Sequence, residues 1–208
     1  ARGGALVAAD GLHSAIRAAM HPGEGRPIWS GAVLWRGATR AKPFLSGASM
    51  ALVGTMAQRF VAYPISAPDP DTGEALINWI AELKFAPSGG WTRSDWNRRA
   101  EASEFLPRFE GWRFGWIDAP ALIRATDEIF EYPMVDRDPA PFWTVGRTTL
   151  IGDAAHVMYP VGSNGASQAV MDARALGRAF LDHGVGPAAL AAYEAQQRPA
   201  TSRMILAT

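Results

Sequence analysis

Residues 149–181 read TLIGDAAHVMYPVGSNGASQAVMDARALGRAFL, and the fold is decided here. Leu150 and Ile151 make a short apolar strand that ends on Gly152 and Asp153. A loop rich in proline and glycine follows, through Met158, Tyr159, Pro160, Val161, Gly162, Ser163 and Asn164. A long helix is predicted to start near Gly165. Strand, acidic turn, glycine loop and helix start together frame a polar, electron-poor ring system. The free amides of a helix's first turn form a positive end that favours an anionic or carbonyl-bearing ligand. Small residues let the backbone itself approach that ligand. Asp153 stands at a strand's carboxyl end, where open α/β sheets bind their ligands.

The flanking chain shows two kinds of architecture. Residues 3–9 are small or apolar and read as a buried strand, and Ser14 to Met20 reads as a short helix stopped by Pro22-Gly23. From Gly31 the pattern changes. Residues 32–37, 49–53, 59–65 and 75–82 are short runs rich in β-branched and aromatic residues, separated by Gly, Pro and Asp. Such a series predicts an antiparallel sheet. Trp91 to Phe109 is predicted helical, with Ser94 or Asp95 as N-cap, and Glu128 to Met134 returns to strand. After Asp136 the first architecture resumes. Ala166, Ala169, Val170, Ala173, Leu176 and Phe180 fall at helical spacing and predict a buried face. Pro187 suits the first position of a further helix, and Pro199 is expected to kink or break it. Residues 1–29 and 136–208 are therefore expected to form one discontinuous domain, with 30–135 as an inserted sheet domain.

Composition narrows the function classes. A chain of 208 residues, 48% of them apolar, can bury a core in one large domain or two small ones. The formal net charge is zero and no basic face or acidic tail stands out, so neither nucleic acid nor an anionic membrane is suggested as partner. Cysteine is absent, which excludes disulfides and thiolate metal sites and agrees with a reducing, cytoplasmic setting. No apolar run is long enough to span a bilayer.

The 149–181 stretch resembles the second FAD motif of the aromatic-ring flavoprotein monooxygenases, the para-hydroxybenzoate hydroxylase-like family. That motif runs G-D-A-A-H, then proline, a glycine-rich loop and a helix carrying Asp. Residues 6–17, LVAADGLHSAIR, are similar to the family's Asp-Gly fingerprint, an apolar strand followed by A-D-G-x-x-S-x-x-R. The two motifs lie in the family's order with a middle region of the expected length between them. More narrowly, Asn78-Trp79, residues 132–139 (YPMVDRDP) and Met158-Tyr159-Pro160 resemble the phenazine monooxygenase branch. The family's G-x-G-x-x-G unit, which binds the ADP half of FAD, occurs nowhere in the chain. The expectation is a fragment lacking the amino-terminal part that bears it.

The resemblance implies an α/β (α+β) fold: part of an FAD/NAD(P)-binding domain with an inserted, mainly antiparallel, substrate-binding sheet. It also implies roles. Asp153, after Gly152, accepts hydrogen bonds from the ribityl chain, and the amides of Gly165, Ala166 and Ser167 face the flavin O2/N1 edge. Pro160 and Gly162 shape a dry wall beside the reactive C4a. Asp10 lies near ribose and pyrophosphate. Arg17 is placed for a phosphate or for Asp10, with a purely structural ion pair left open. His156 packs the loop, since no second ligand stands at metal spacing. Tyr159, Met158, Trp79 and Tyr63 are candidate substrate contacts, although Trp79, Tyr63, Trp35 and Met158 alternate with apolar residues as core residues also do. Glu82 reads as an ordinary charged position, and Arg137 as able to meet a substrate carboxylate.

The implied reaction is hydroxylation of a phenazine- or salicylate-like aromatic ring. NAD(P)H reduces FAD, O2 adds at C4a, and the hydroperoxide attacks the ring. No catalytic side chain, triad or metal is expected from this segment. The alternatives are an epoxidase or halogenase on the same scaffold, or a non-catalytic fragment unable to hold FAD alone. A halogenase needs a lysine facing substrate, and neither Lys42 nor Lys84 has that setting. A homodimer is left open.

Overall fold

The segment around Asp10 folds as a strand, a turn and a short helix. Strand β1 (Leu6–Ala8) is shorter than the predicted 3–9, and helix α1 (Ala15–Met20) begins at Ser14, whose hydroxyl accepts the Arg17 N–H at 2.8 Å. This computed structural model describes residues 3–85, 98–160, 162 and 164–207. The chain divides into two units, Ala1–Ile28 with Val135–Thr208, and Trp29–Met134.

The second unit is built on a sheet. Its elements are β2 (Ile28–Ala41), β3 (Ala51–Gly54), β4 (Gln58–Pro64), β5 (Ala75–Lys84), a small β6 (Arg113–Phe114) and β7 (Ile117–Asp118) ribbon, α2 (Ala119–Arg124) and β8 (Phe130–Asp136). The sheet order is β3-β4-β5-β2-β8, and the β3–β4, β4–β5 and β5–β2 pairs are antiparallel. The period-2 pattern of β5 shows why: Ala75, Ile77, Trp79, Ala81 and Leu83 are buried on one face, while Leu76, Asn78 and Ile80 lie half-buried on the other. The buried face packs on an aromatic layer, with Trp35 stacked on Phe105 at 4.7 Å and Phe60 on Trp79 at 6.0 Å. Gly37 lies opposite Trp79 in register, and a β-carbon there would sit 2.7 Å from the indole, so only glycine fits. Glu82, read from sequence as ordinary, is buried and ion-paired to Arg59 at 2.6 Å.

The predicted helix over 91–109 does not form in its described part. Its N-cap candidates, Ser94 and Asp95, lie outside the described residues. Arg99 makes an isolated bridge to Phe130, and single turns of 3-10 helix follow at Ala102–Glu104 and Leu106–Arg108. Glu101 and Glu104 close the first turn as a capping box, and Pro107 has no N–H with which to carry that turn on into the next.

The first unit resumes with β9 (Thr144–Val145), β10 (Thr148–Leu150), α3 (Asp153–His156), α4 (Asn164–His183) and α5 (Pro187–Leu206). β10 pairs parallel with β1 and antiparallel with β9. Leu150, Ala154, Leu176, Ala179, Leu190, Tyr193 and Trp143 form the centre of its core. The buried stripe of α4 differs from the predicted one. It runs through Asp172, Ala175, Leu176 and Ala179, whereas Val170 is 69% exposed and Ala173 is exposed. An aspartate thus occupies a position that apolar spacing alone could not have chosen. Pro199 does not end α5, which continues to Leu206. Buried residues on both sides of the proline (Tyr193, Gln197, Thr201, Ile205) hold the axis, and one turn past it the Thr201 hydroxyl also donates to the Gln197 carbonyl at 3.0 Å.

Candidate functional site

Parallel pairing of β1 with β10 brings two chain turns to the same sheet edge. Ala8 is opposite Leu150, so Ala9 and Gly11 emerge beside Ile151, Gly152 and Asp153. These five residues, with Met158, Pro160, Gly165, Ala166 and Ala169, line a cleft of about 610 Å³. That volume is within the usual span of small-molecule sites, about 300–1,000 Å³. Six of the ten wall residues are glycine or alanine, so little side chain stands between the cleft and the main chain there. Gly152 sits at φ 56° and ψ −143°. L residues avoid this region, and a β-carbon would only touch Ala169 at 3.5 Å, so the backbone and not crowding demands glycine. No acidic residue occupies the first turn of α4, so its positive end, carrying Gly165 and Ala166, is uncompensated there.

The lining suits a flavin. Small residues leave room for a flat ring, the helix start brings main-chain N–H groups to the cleft, and Asp153 is an exposed carboxylate in its lining. Of the sequence candidates, Gly152, Asp153, Met158, Pro160, Gly165 and Ala166 meet at this cleft. Gly162, at φ 78°, and Ser167 are exposed and outside its lining.

Asp10 is exposed, and its carboxylate accepts the Ala15 N–H at 3.0 Å at the start of α1. Hydrogen bonds from Ser14 and from main-chain amides hold that carboxyl below its ordinary range. Arg17 requires a correction. It is 2% exposed, and its guanidinium is spent on protein. Nε and Nη2 take the two Glu24 oxygens at 2.8 and 2.6 Å, and Nη1 donates to the carbonyls of Ala154 and Ala155 at 3.0 and 2.7 Å. Nη2 also reaches the Asp138 carbonyl at 3.3 Å. No donor remains for a phosphate, and the partner is Glu24 and not Asp10. Arg137 donates from Nη1 to Glu24 at 3.1 Å and to the Gly25 carbonyl at 2.8 Å, and its Nε is buried without a partner.

Trp79 is also corrected: it is fully buried, with its indole N–H donated to Thr126 at 2.8 Å. Trp35 is core as well. Tyr63 is half-buried, opposite Asn78 in register. Tyr159 is half-buried outside the cleft lining. Its hydroxyl is 3.3 Å from the Ile28 carbonyl, and burial together with the Asp136 carboxylate raises the phenol above its ordinary range.

Two features were given no role from the sequence. One is Asp172, the aspartate of the motif's helix, fully buried on α4, whose Oδ2 binds both the Gly152 N–H at 2.9 Å and His156 Nε2 at 2.5 Å. Its signal was a charged residue in step with Leu176 and Ala179. The other is a cleft of about 680 Å³ on the open face of the sheet, lined by Arg36, Ala38, Leu76, Asn78, Phe130 and Tyr132, with Gly37, Asp127 and Glu128. The Asn78 amide nitrogen is buried there without a hydrogen-bond partner, and Glu128 is paired with Arg99. Among the described residues no cluster of His, Asp and Glu could hold a metal, and no helix is long and apolar enough to cross a membrane.

A family model described as "FAD binding domain" matches residues 124–208. Phenazine 1,6-dicarboxylic acid hydroxylase PhzS of Lysobacter antibioticus is 45% identical over 204 residues, covering 98% of this chain and 50% of that protein. Salicylate hydroxylase of Pseudomonas putida is 30% identical, covering 96% of this chain and 48% of that protein. The chain spans about half the length of these relatives. Among solved structures, Klebsiella pneumoniae HpxO with FAD and uric acid superposes with TM-score 0.76 at 24% identity, over 98% of this chain and 49% of that one, a likeness of fold. A salicylate hydroxylase substrate complex gives 0.73 at 25% identity, over 99% of this chain and 53% of that one. With the Gly-Asp turn, the glycine loop and the α4 start meeting at one cleft, the chain belongs to the para-hydroxybenzoate hydroxylase-like family of FAD-dependent aromatic monooxygenases.

Proposed function

We propose that this chain supplies the flavin-facing wall and the substrate sheet of an enzyme that hydroxylates a phenazine- or salicylate-like aromatic acid with NAD(P)H and O2. The observation that carries the reading is the cleft formed by Ile151–Asp153, Pro160 and the α4 start. Bound FAD supplies the electron and oxygen chemistry. The chain's residues bind and orient. Gly165 and Ala166 present main-chain donors to the ring's carbonyl edge, Asp153 takes the ribityl hydroxyls, and Met158 and Pro160 keep water from the ring. Gly162 and Ser167 remain candidates at the loop and helix start, and Asp10 remains one near the ribose.

The sheet cleft suits the aromatic substrate. Leu76, Phe130 and Tyr132 offer apolar and aromatic surface, Arg36 offers charge to a carboxylate, and the Asn78 amide offers an unused donor. The carboxylated and phenolic substrates in the relatives' names favour this assignment. The test is the full-length protein. It should be yellow as isolated, and a phenazine dicarboxylate or salicylate should stimulate its NAD(P)H oxidation. A colourless full-length protein that takes up no added FAD refutes the proposal. Flavin absorbance of the 208-residue chain, with and without the rest of the protein, separates this reading from a remnant that cannot hold FAD by itself.

A further inference from the structure

Directly behind the wall of the Gly152 cleft lie two buried titratable side chains that the proposed chemistry does not use. His156 is 1% exposed and Asp172 0%. Asp172 Oδ2 accepts the Gly152 N–H at 2.9 Å and faces His156 Nε2 at 2.5 Å. A carboxylate oxygen only accepts, so the imidazole proton of this contact sits on Nε2. His156 Nδ1 is buried with no hydrogen-bond partner, and the ring lies 5.3 Å from the Trp143 ring. One oxygen atom therefore ties the residue that opens the Gly-Asp turn to the residue that closes α3.

Packing alone does not call for this arrangement. A buried carboxylate is costly unless its hydrogen bonds are made, and an apolar pair would fill the same space more cheaply. The arrangement instead fixes a direction. Gly152 holds a backbone conformation that side chains avoid, and its amide is pinned from behind. The next residue, Asp153, is exposed at the cleft. On the far side of the same short helix, Arg17 holds the carbonyls of Ala154 and Ala155. The turn is gripped at its amide end by Asp172 and at its carbonyl end by Arg17.

We propose that Asp172 and His156 are positioning residues for the cofactor-facing turn: through Oδ2 they fix the Ile151–Gly152 peptide, and with it the direction in which Asp153 leaves the strand to meet the flavin. The inference rests on the assignment of FAD to the Gly152 cleft. In the full-length protein, His156→Phe keeps a ring against Trp143 but removes the donor, and His156→Gln keeps a donor within reach of Oδ2. Loss of one hydrogen bond to a charged group weakens FAD binding by about tenfold or more in His156→Phe, and His156→Gln recovers most of it. Fluorescence titration of FAD, with a melting curve of each FAD-free variant, reads both effects. A His156→Phe protein that folds and binds FAD within about twofold of wild type overturns the proposal, as does a loss that His156→Gln does not repair. A second measurement does not depend on any variant folding. In the FAD-free wild-type protein the Gly152 amide is protected from hydrogen exchange, and exchange at the rate of an open loop overturns the pin. Wild-type protein that binds no FAD at all refutes the flavin assignment instead, and the exchange result still reports on Asp172.

Discussion

Replacing Arg17 by lysine separates a structural clamp from a phosphate ligand. The guanidinium reaches two groups at once, both Glu24 oxygens on one side and the Ala154 and Ala155 carbonyls on the other. An ammonium keeps the charge but is a single point, so it can serve Glu24 or the carbonyls and not both. The lysine variant that keeps Glu24 leaves two carbonyls of α3 without their donor in a buried setting. At about 1–1.5 kcal/mol net for each lost bond, Arg17→Lys costs about 2–3 kcal/mol. For a chain of this size each kcal/mol moves the melting temperature by about 2–4 °C, so the FAD-free protein melts roughly 5–10 °C lower. Far-UV circular dichroism melts measure that shift, and fluorescence titration below the lower melting point measures FAD affinity. A melting temperature within about 2 °C of wild type, together with FAD binding weakened tenfold or more, would refute the clamp and restore the phosphate role.

Three further outcomes follow from particular residues. Gly152→Ala places a side chain at φ 56°, costs about 1–3 kcal/mol of backbone strain, and weakens FAD binding, because relief of the strain turns the Asp153 peptide; unchanged binding would show that the turn tolerates an L residue. Trp79→Ala removes a fully buried indole and its bond to Thr126 and costs about 3–5 kcal/mol in urea unfolding; a stable variant with only weakened substrate binding would return Trp79 to the pocket. Burial opposes ionisation of Glu24, but the hydrogen bonds and charge of Arg17 and then the charge of Arg137 prevail and hold it below its ordinary value of 4.5. The unfolded chain therefore takes up that proton first, and the stability Glu24 contributes is present above pH 4.5 and drains away as pH falls through the lower folded value. Glu24→Gln flattens this part of the stability profile in urea titrations across acid pH, and an unchanged slope would show that Glu24 carries none of it.

Local reading worked where the signal was local. The strands at 58–64 and 75–84 follow from period-2 burial of large apolar residues, and the α1 start follows from Ser14. Gly152, Asp153, Met158, Pro160, Gly165 and Ala166 stood out because they follow a strand end within a few residues of one another, and they now line one cleft. Reading failed where a residue's environment comes from distant chain. Arg17 and its acceptors at 154 and 155 are 137 and 138 residues apart, so nothing near Arg17 announces what absorbs its donors. The stripe of α4 was misplaced because apolar spacing cannot register a buried aspartate, and Asp172 meets Gly152 and His156 through Oδ2 alone, its Oδ1 staying buried without a partner. Pro199 was expected to break a helix on intrinsic grounds, and tertiary packing on both sides overrides the one hydrogen bond it removes.

The sequence alone determined most of the elements, their order and the Gly-Asp turn at the strand end, because those depend on side-chain size, backbone freedom and periodicity within a few residues. Tertiary structure decided which charges are structural and which are free to act. Arg17, Glu82 and Asp172 became fixed when burial made an unpaired charge costly, whereas Asp153 and Arg36 stayed exposed beside clefts. A charge's fate is set by what lies across the fold from it, and only the closed fold contains that information.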